Sequence, residues 1–189
     1  MLEQQLVATS IQVVLNTDEA VNNNGLVNKF SIVSTDGKNA GHILLWDSKR
    51  NIQVFSSGED RSFDIEQPMT DICLRTAGKS LAIAKAICVF NAGFISDEAR
   101  DQEWNSDMVS QGVPFGSLPG IICKCWIGNL ETNTFGGIYF WDCELAMHDY
   151  IEGKEESLLR IGDEKIYVAG LISTRKDLIN GSVETYLVK

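Results

Sequence analysis

The strongest constraint on this chain is that it repeats itself: Gly25 to Phe63 lies on Gly120 to Leu158 without a gap, at an offset of about 95 residues. Gly25 falls on Gly120, Lys29 on Lys124, Ile32 on Ile127, Gly41 on Gly136, Ile43 on Ile138, Trp46 on Trp141, Asp47 on Asp142, Gly58 on Gly153 and Ser62 on Ser157. About nine identities, where chance supplies roughly two, point to a duplicated structural unit. The sequence therefore divides into two related modules, residues 1–78 and 79–189, joined near Gly78-Lys79-Ser80.

The second module is the easier to read. Ala82 to Phe90 is an apolar, β-rich run that ends at the turn Asn91-Ala92-Gly93. Ser96 with Asp97 and Glu98 caps a helix to about Gln111, whose thin apolar stripe is Ala99, Trp104, Met108 and Val109. Ile121 to Gly128 and Phe135 to Trp141 are predicted as paired strands across a polar turn. Asp142 then caps a second helix through Tyr150, with Ala146, Met147, Tyr150 and Ile151 inward, and Lys165 to Ile172 is predicted as the fourth strand. This βαββαβ order is that of a ferredoxin-like unit, an antiparallel sheet with helices on one face. Its other face is apolar and needs a partner, usually a second copy of the same sheet.

In the first module, Ser10 to Leu15, Leu26 to Ser34, His42 to Trp46 and Asp71 to Arg75 are predicted as strands, with a helix from Asp47. Asn16 to Asn24 is too short for a helix matching Ser96 to Gln111. Ser182 to Lys189 alternates like an extra edge strand. The expected fold is α+β: two ferredoxin-like repeats packed sheet to sheet as an intramolecular pseudo-dimeric barrel. Further homo-dimerisation through helices or edges is left open.

Charge and composition narrow the partners. Sixteen Lys and Arg stand against 26 Asp and Glu, for a net charge of -10 and no basic patch, which argues against nucleic acid. The sequence shows no membrane-spanning run, no basic amphipathic face and no signal peptide, so a cytoplasmic protein without membrane contact is expected. The five cysteines, Cys73, Cys88, Cys123, Cys125 and Cys143, lie mostly in apolar runs and are expected to be reduced and buried. With only His42 and His148 to complete a ligand set, no metal site is expected.

The turn Pro119-Gly120, the strand residues Lys124 and Trp126, and the run Gly136-Gly137-Ile138-Tyr139-Phe140-Trp141-Asp142 resemble the pattern of the YdhR-like mono-oxygenases. These belong to the dimeric α+β barrel group that includes the antibiotic-biosynthesis mono-oxygenases. Phe90-Asn91 followed by Gly93-Phe94 resembles their first strand exit, and the resemblance covers roughly residues 82 to 180. It implies two four-stranded sheets packed face to face, ordinarily from two chains. In the first repeat Ser31 replaces Trp126, and His42 and Leu44 replace Gly137 and Tyr139, so a filled or shallow pocket is expected there.

On alternating strands Lys124 shares a face with Trp126, and Tyr139 with Trp141. If those faces look toward the helices, they form an aromatic pocket with Asn91, Phe94 and Trp104, suited to a flat small aromatic ligand. For each Trp and Tyr alone, core packing is the commoner role.

The resemblance implies a cofactor-independent mono-oxygenase that deprotonates a phenolic or quinol-like substrate and lets the anion meet oxygen. Asn91 would orient, Trp126 or Tyr139 donate, Lys124 stabilise the anion and His148 act as base, although a lone helical His is more often a surface or packing residue. One alternative is a non-catalytic ligand-binding or assembly module. Another is a haem-degrading relative, for which Asn91 and Trp141 are suitably placed, but Glu155, Glu156 and Arg160 stand where an iron-ligating histidine is wanted.

Overall fold

β-Branched and aromatic residues suit a pleated, half-buried surface, and they fill Ser10–Leu15 (β1), Leu26–Ser34 (β2) and Ala40–Trp46 (β3). The computed structural model describes residues 8–17, 19–21, 24–56, 58–65, 80–94, 118–129, 134–152, 159–161, 164–166 and 178–189. Further strands are Glu59–Ile65 (β4), Ala86–Phe94 (β5), Ile121–Asn129 (β6), Thr134–Trp141 (β7), Leu159–Ile161 (β8), Glu164–Ile166 (β9) and Leu178–Val188 (β10). Among the described residues one α-helix, Glu144–Glu152 (α1), follows β7 and carries Glu144 in its first turn, where a carboxylate suits the helix dipole. Among the described residues no helix is long and apolar enough to cross a membrane.

Eight strands close into an antiparallel barrel in the order β1-β3-β2-β10-β5-β7-β6-β4, with β4 pairing back onto β1, while β8 and β9 form a separate ribbon. Around the ring, β4-β1-β3-β2 and β10-β5-β7-β6 run in the same order. The seams between these halves are short, three partners for β2 and β10 and two for β4 and β6. Inward side chains of both halves, among them Ile11, Val13, Ile43, Ile87, Val89 and Ile138, belong to one buried cluster. Phe30 and Phe140 meet across it with ring centroids 5.2 Å apart. Arg61 on β4 also crosses the interior: its Nη1 and Nη2 lie 2.5 and 2.6 Å from the Glu184 carboxylate of β10, four strands away around the ring.

The halves share local detail as well as order. Gly25 and Gly120 both take φ 76, the left-handed region that glycine tolerates, and each carbonyl accepts the amide of Asp47 or Asp142 at 2.9 Å. A side chain at either would collide, with Asp47 Oδ1 at 2.6 Å or with Ala146 Cβ at 2.5 Å. Beyond Asp47 and Asp142 the halves diverge. The helix expected from Asp47 is one 3-10 turn, Lys49–Asn51, whose Asn51 Nδ2 donates to Asp47 Oδ1 at 2.7 Å. Phe55, buried with Val14, Leu44 and Trp46, then holds the chain against the sheet where α1 stands in the other half.

Two strand expectations also change. The fourth strand of the first half is β4, whereas Asp71 to Arg75 lies outside the described residues. The fourth strand of the second half is β10, hydrogen-bonded to β5 and β2, not Lys165 to Ile172, of which Lys165 and Ile166 lie in β9 and the rest falls outside the description. A closed barrel has no edge, so the alternating C-terminal strand expected at an edge is paired on both sides. The predicted helix from Ser96 to Gln111 lies outside the described residues.

Candidate functional site

Strand register assembles the cluster on the α1 side of β5, β7 and β6. Cys88 and Lys124 both pair with Tyr139, which places one residue from each strand in a single row. Ala86 and Ile121 flank Trp141 in the next row, and Phe90 and Trp126 flank Gly137 in the row beyond. Helix α1 roofs these rows with Met147 and Tyr150. The Tyr150 ring centroid lies 5.2 Å from Trp141, 5.6 Å from Tyr139 and 6.2 Å from Phe90. Gly137 makes room for the wall, because a Cβ there would lie 2.8 Å from the Tyr139 ring.

Lys124 enters this wall with 1 % of its surface exposed, and its Nζ lies 5.0 Å from the Tyr139 ring centroid, within cation-π range. Burial shifts each titratable group toward its neutral form. Desolvation pulls the Lys124 amine well below its ordinary range, opposed by nearby Cys125 and Cys88. The Tyr139 phenol is pushed well above 10.0, by burial first and then by Tyr150 and Cys88. Cys88 rises to about 12, chiefly by burial, while its Sγ receives the Trp141 indole N–H at 3.3 Å. The result is an uncharged, buried cluster that holds an amine, phenols and a thiol.

The expected residues separate accordingly. Lys124, Tyr139 and Trp141 come together; Asn91, Phe94 and Trp126 are placed by backbone alone, opposite Gly136, Leu178 and Gly137; Trp104 lies outside the described residues. His148 is half-exposed on α1, its Nε2 3.5 Å from Glu144 Oε1. Cys88, Phe90 and Tyr150 were not singled out for the site. Their signal was present in the alternation of Cys88 with Phe90 and in the inward position of Tyr150 on the predicted helix. Cys123 and Cys125 are buried with their Sγ atoms 3.6 Å apart, whereas Cys143 is exposed. No group of three or more metal-binding side chains occurs among the described residues.

The first half has a different interior at the matching place. Gln12 Oε1 accepts the Trp46 indole N–H at 3.1 Å, and its amide nitrogen donates to Gln53 O at 2.6 Å and to Asp60 at 2.9 Å. Leu44 replaces Tyr139, Phe55 fills the space, and Lys29 is exposed. The Trp46 end is therefore filled, whereas an open groove of about 510 Å³ lies beside Ser31 and His42, where a filled or shallow pocket was expected. Another cleft of about 510 Å³ opens at the end of the barrel, lined by both halves and including Arg61, Glu184 and Tyr186.

Residues 91–170 match the model of the family described as "Putative mono-oxygenase ydhR", within the stretch that carries the resemblance. No curated protein matches the chain. Among solved structures, a ferredoxin fold protein related to antibiotic biosynthesis monooxygenases from Listeria monocytogenes 4b F2365 aligns with a TM-score of 0.54 at 14% identity, over 97% of this chain and 96% of that one. An anthrone oxidase-like protein aligns with a TM-score of 0.57 at 11% identity, over 99% and 92%. A heme-degrading enzyme from Listeria monocytogenes aligns with a TM-score of 0.51 at 11% identity, over 95% and 99%. At these identities the likeness is one of fold, and the fold hosts more than one chemistry.

Proposed function

We propose that the chain is a single-chain pseudo-dimer of the α+β barrel type, with residues 1–78 and 79–189 as its halves. We propose further that its second half is a mono-oxygenase site for a small phenolic or quinol-like aromatic, working in the reducing cytoplasm without metal, haem or flavin. The shared strand order and the twin glycine turns support the duplication. Cys88, Cys123, Cys125 and Cys143 stand as thiols outside any disulfide, which fits the compartment.

One observation carries the site: a buried amine, Lys124, set against the ring of Tyr139, itself packed against Tyr150 of α1, inside the stretch that matches the mono-oxygenase family. A phenol bound there and deprotonated becomes electron-rich enough to react with dioxygen directly. For a ring-flanked methylene, one oxygen atom enters as the carbonyl and the other leaves as water with both hydrogens, so dioxygen accepts every electron released. The protein needs to supply a dry aromatic wall, a proton acceptor and charge stabilisation for the anion. The anthrone oxidase-like neighbour favours fused aromatic substrates of this kind.

Oxygen uptake with an anthrone and a panel of quinols tests the reading. Turnover that survives chelation and falls in Asn91→Ala and Trp126→Ala is expected; activity that chelation abolishes and added metal restores would overturn it. The tight packing of Tyr139, Trp141 and Tyr150, at 3 %, 0 % and 1 % exposure, favours a second reading, a non-catalytic ligand-binding or assembly module. Binding of these aromatics without oxygen uptake would select it. Against the haem-degrading alternative, which a heme-degrading neighbour resembles in fold, His148 is half-exposed and paired with Glu144, His42 belongs to the first half, and Arg160 lies on β8.

A further inference from the structure

The open end of the barrel is assembled from both halves. At the β2–β3 turn, Gly37 N donates to Ser34 O at 2.8 Å, Ser34 Oγ to Asp36 Oδ1 at 2.6 Å and Asn39 N to Ser34 Oγ at 3.0 Å. This turn is tied to β10, where Thr35 N donates to Thr185 O at 3.0 Å and the two threonine hydroxyls lie 2.6 Å apart. With Glu59 and Arg61 from β4 they line the barrel-end cleft of about 510 Å³, within the roughly 300–1,000 Å³ usual for small-molecule sites.

Solvent reaches the Arg61 and Glu184 pair at this end, where the side chains are 34 % and 29 % exposed. An apolar pair of similar volume is often as stable or more so, which means that stability alone does not explain two charges beside a cleft. Their arrangement leaves capacity for a ligand. A guanidinium has five N–H donors; Glu184 takes one from each Nη and Nε is buried, so each Nη keeps a second hydrogen. Glu59 is exposed and belongs to neither the Arg61–Glu184 nor the Lys38–Asp36 pair, and its carboxylate offers acceptors. The threonine pair has one hydroxyl hydrogen beyond the one it shares.

We infer that this cleft binds a neutral polyhydroxylated molecule of sugar size, whose hydroxyls accept from the Arg61 guanidinium and donate to the Glu59 carboxylate. Charge sets the class. The two ion pairs cancel, Glu59 leaves one negative charge over, and the chain as a whole carries -10, so an anion is repelled. Arg61 opposes a cation at the same place. A hydroxyl donates once and accepts twice, so a polyol matches both kinds of partner without bringing charge. Leu15 and Val183 are the aliphatic residues of the lining, and Val183, 40 % exposed, suits the C–H face of a sugar ring rather than a large flat aromatic. The inference stands apart from the mono-oxygenase reading of the second half.

The test is an NMR titration of the isotope-labelled full chain, followed at backbone amides and at the Arg61 side-chain N–H signals. Glucose, galactose and myo-inositol are the neutral probes, and glucosamine and glucuronate their charged counterparts. At least one neutral probe is expected to give saturable shifts confined to the cleft, at Thr35, Asn39, Glu59, Arg61 and Thr185. Glu59→Ala should weaken that binding about tenfold, the effect expected for one hydrogen bond to a charged group. Glu59→Gln keeps an oxygen acceptor and should stay nearer wild type, and glucuronate should bind more weakly than the neutral probes. Saturation by glucuronate or glucosamine alone, equal loss in the Ala and Gln variants, or no saturable shift with any neutral probe overturns the inference. Because Glu59 is exposed and outside both ion pairs, its variants keep the fold.

Discussion

Breaking the Arg61 and Glu184 pair should weaken the barrel as a whole, because the two residues come from opposite strands of the ring and from different halves. The contact is bidentate at 2.5 and 2.6 Å, and the Tyr186 hydroxyl donates to the same carboxylate at 2.5 Å. Removing one partner of a fully buried ion pair costs about 3–5 kcal/mol. Here the side chains are 34 % and 29 % exposed, so solvent screening reduces the expectation to about 1–3 kcal/mol for Arg61→Met or Glu184→Gln.

A double-mutant cycle by urea unfolding should give a coupling of about 1–2 kcal/mol. The sign with pH follows from Glu184. Burial raises its pKa, but hydrogen bonds from Arg61 and Tyr186 and the charge of Arg61 prevail and hold it below 4.5. Its contribution is therefore present above the unfolded value and is lost as pH falls through the folded one. Wild type should lose stability in that acid window more steeply than Glu184→Gln. A coupling indistinguishable from zero, with identical acid limbs, would refute the cross-barrel tie.

Two further outcomes test the site. Lys124→Met should raise stability near neutral pH by about 1–4 kcal/mol, because burying the lysine favours loss of the proton that its amine carries in the unfolded chain, a cost that a packed apolar chain does not bear. Because the folded pKa lies below the unfolded one, wild type gains stability as pH rises from the folded value toward 10.5. The advantage of the variant, read from urea unfolding at several pH values, should therefore be largest at low pH and narrow toward that limit. Gly137→Ala places a Cβ 2.8 Å from the Tyr139 ring. It should cost about 1–3 kcal/mol by overpacking and change the near-ultraviolet dichroism of the aromatic wall, whereas unchanged spectra and stability would show that the ring is not held there.

Strand and helix existence was legible wherever local chemistry decides it. β1, β2, β3, β6, β7 and α1 lie close to their predicted ranges, because alternation, the glycine turns and the acid-capped helix start are local signals. The clearest departures came where position around the ring decides the outcome. Lys165 to Ile172 reads as an apolar strand and Leu178–Val188 as a weaker, alternating one, yet the weaker one takes the place between β5 and β2. Its Glu184 and Tyr186 look too polar for an interior, and they become acceptable only because Arg61 arrives from the far side of the barrel to pair with the carboxylate. That contact spans 123 residues of chain, beyond the reach of any local pattern.

The same reasoning explains how much of the site could be read. Period-two alternation grouped Lys124 with Trp126 and Tyr139 with Trp141, and register then added Cys88 and Phe90 from β5. What alternation could not show is depth. Lys29 and Lys124 carry the same local signal, and the repeat predicts the same fate for both. One is exposed, while the other is buried against the Tyr139 ring, which Tyr150 packs on because only the second half follows its third strand with a full helix. Replacing Phe55 and its neighbours with a helix like α1 would not by itself bury Lys29, since Leu44 stands where Tyr139 supplies the covering ring. The chemistry proposed for the second half therefore depends on two differences between the halves acting together, the helix and the Leu44 to Tyr139 change, and on neither alone.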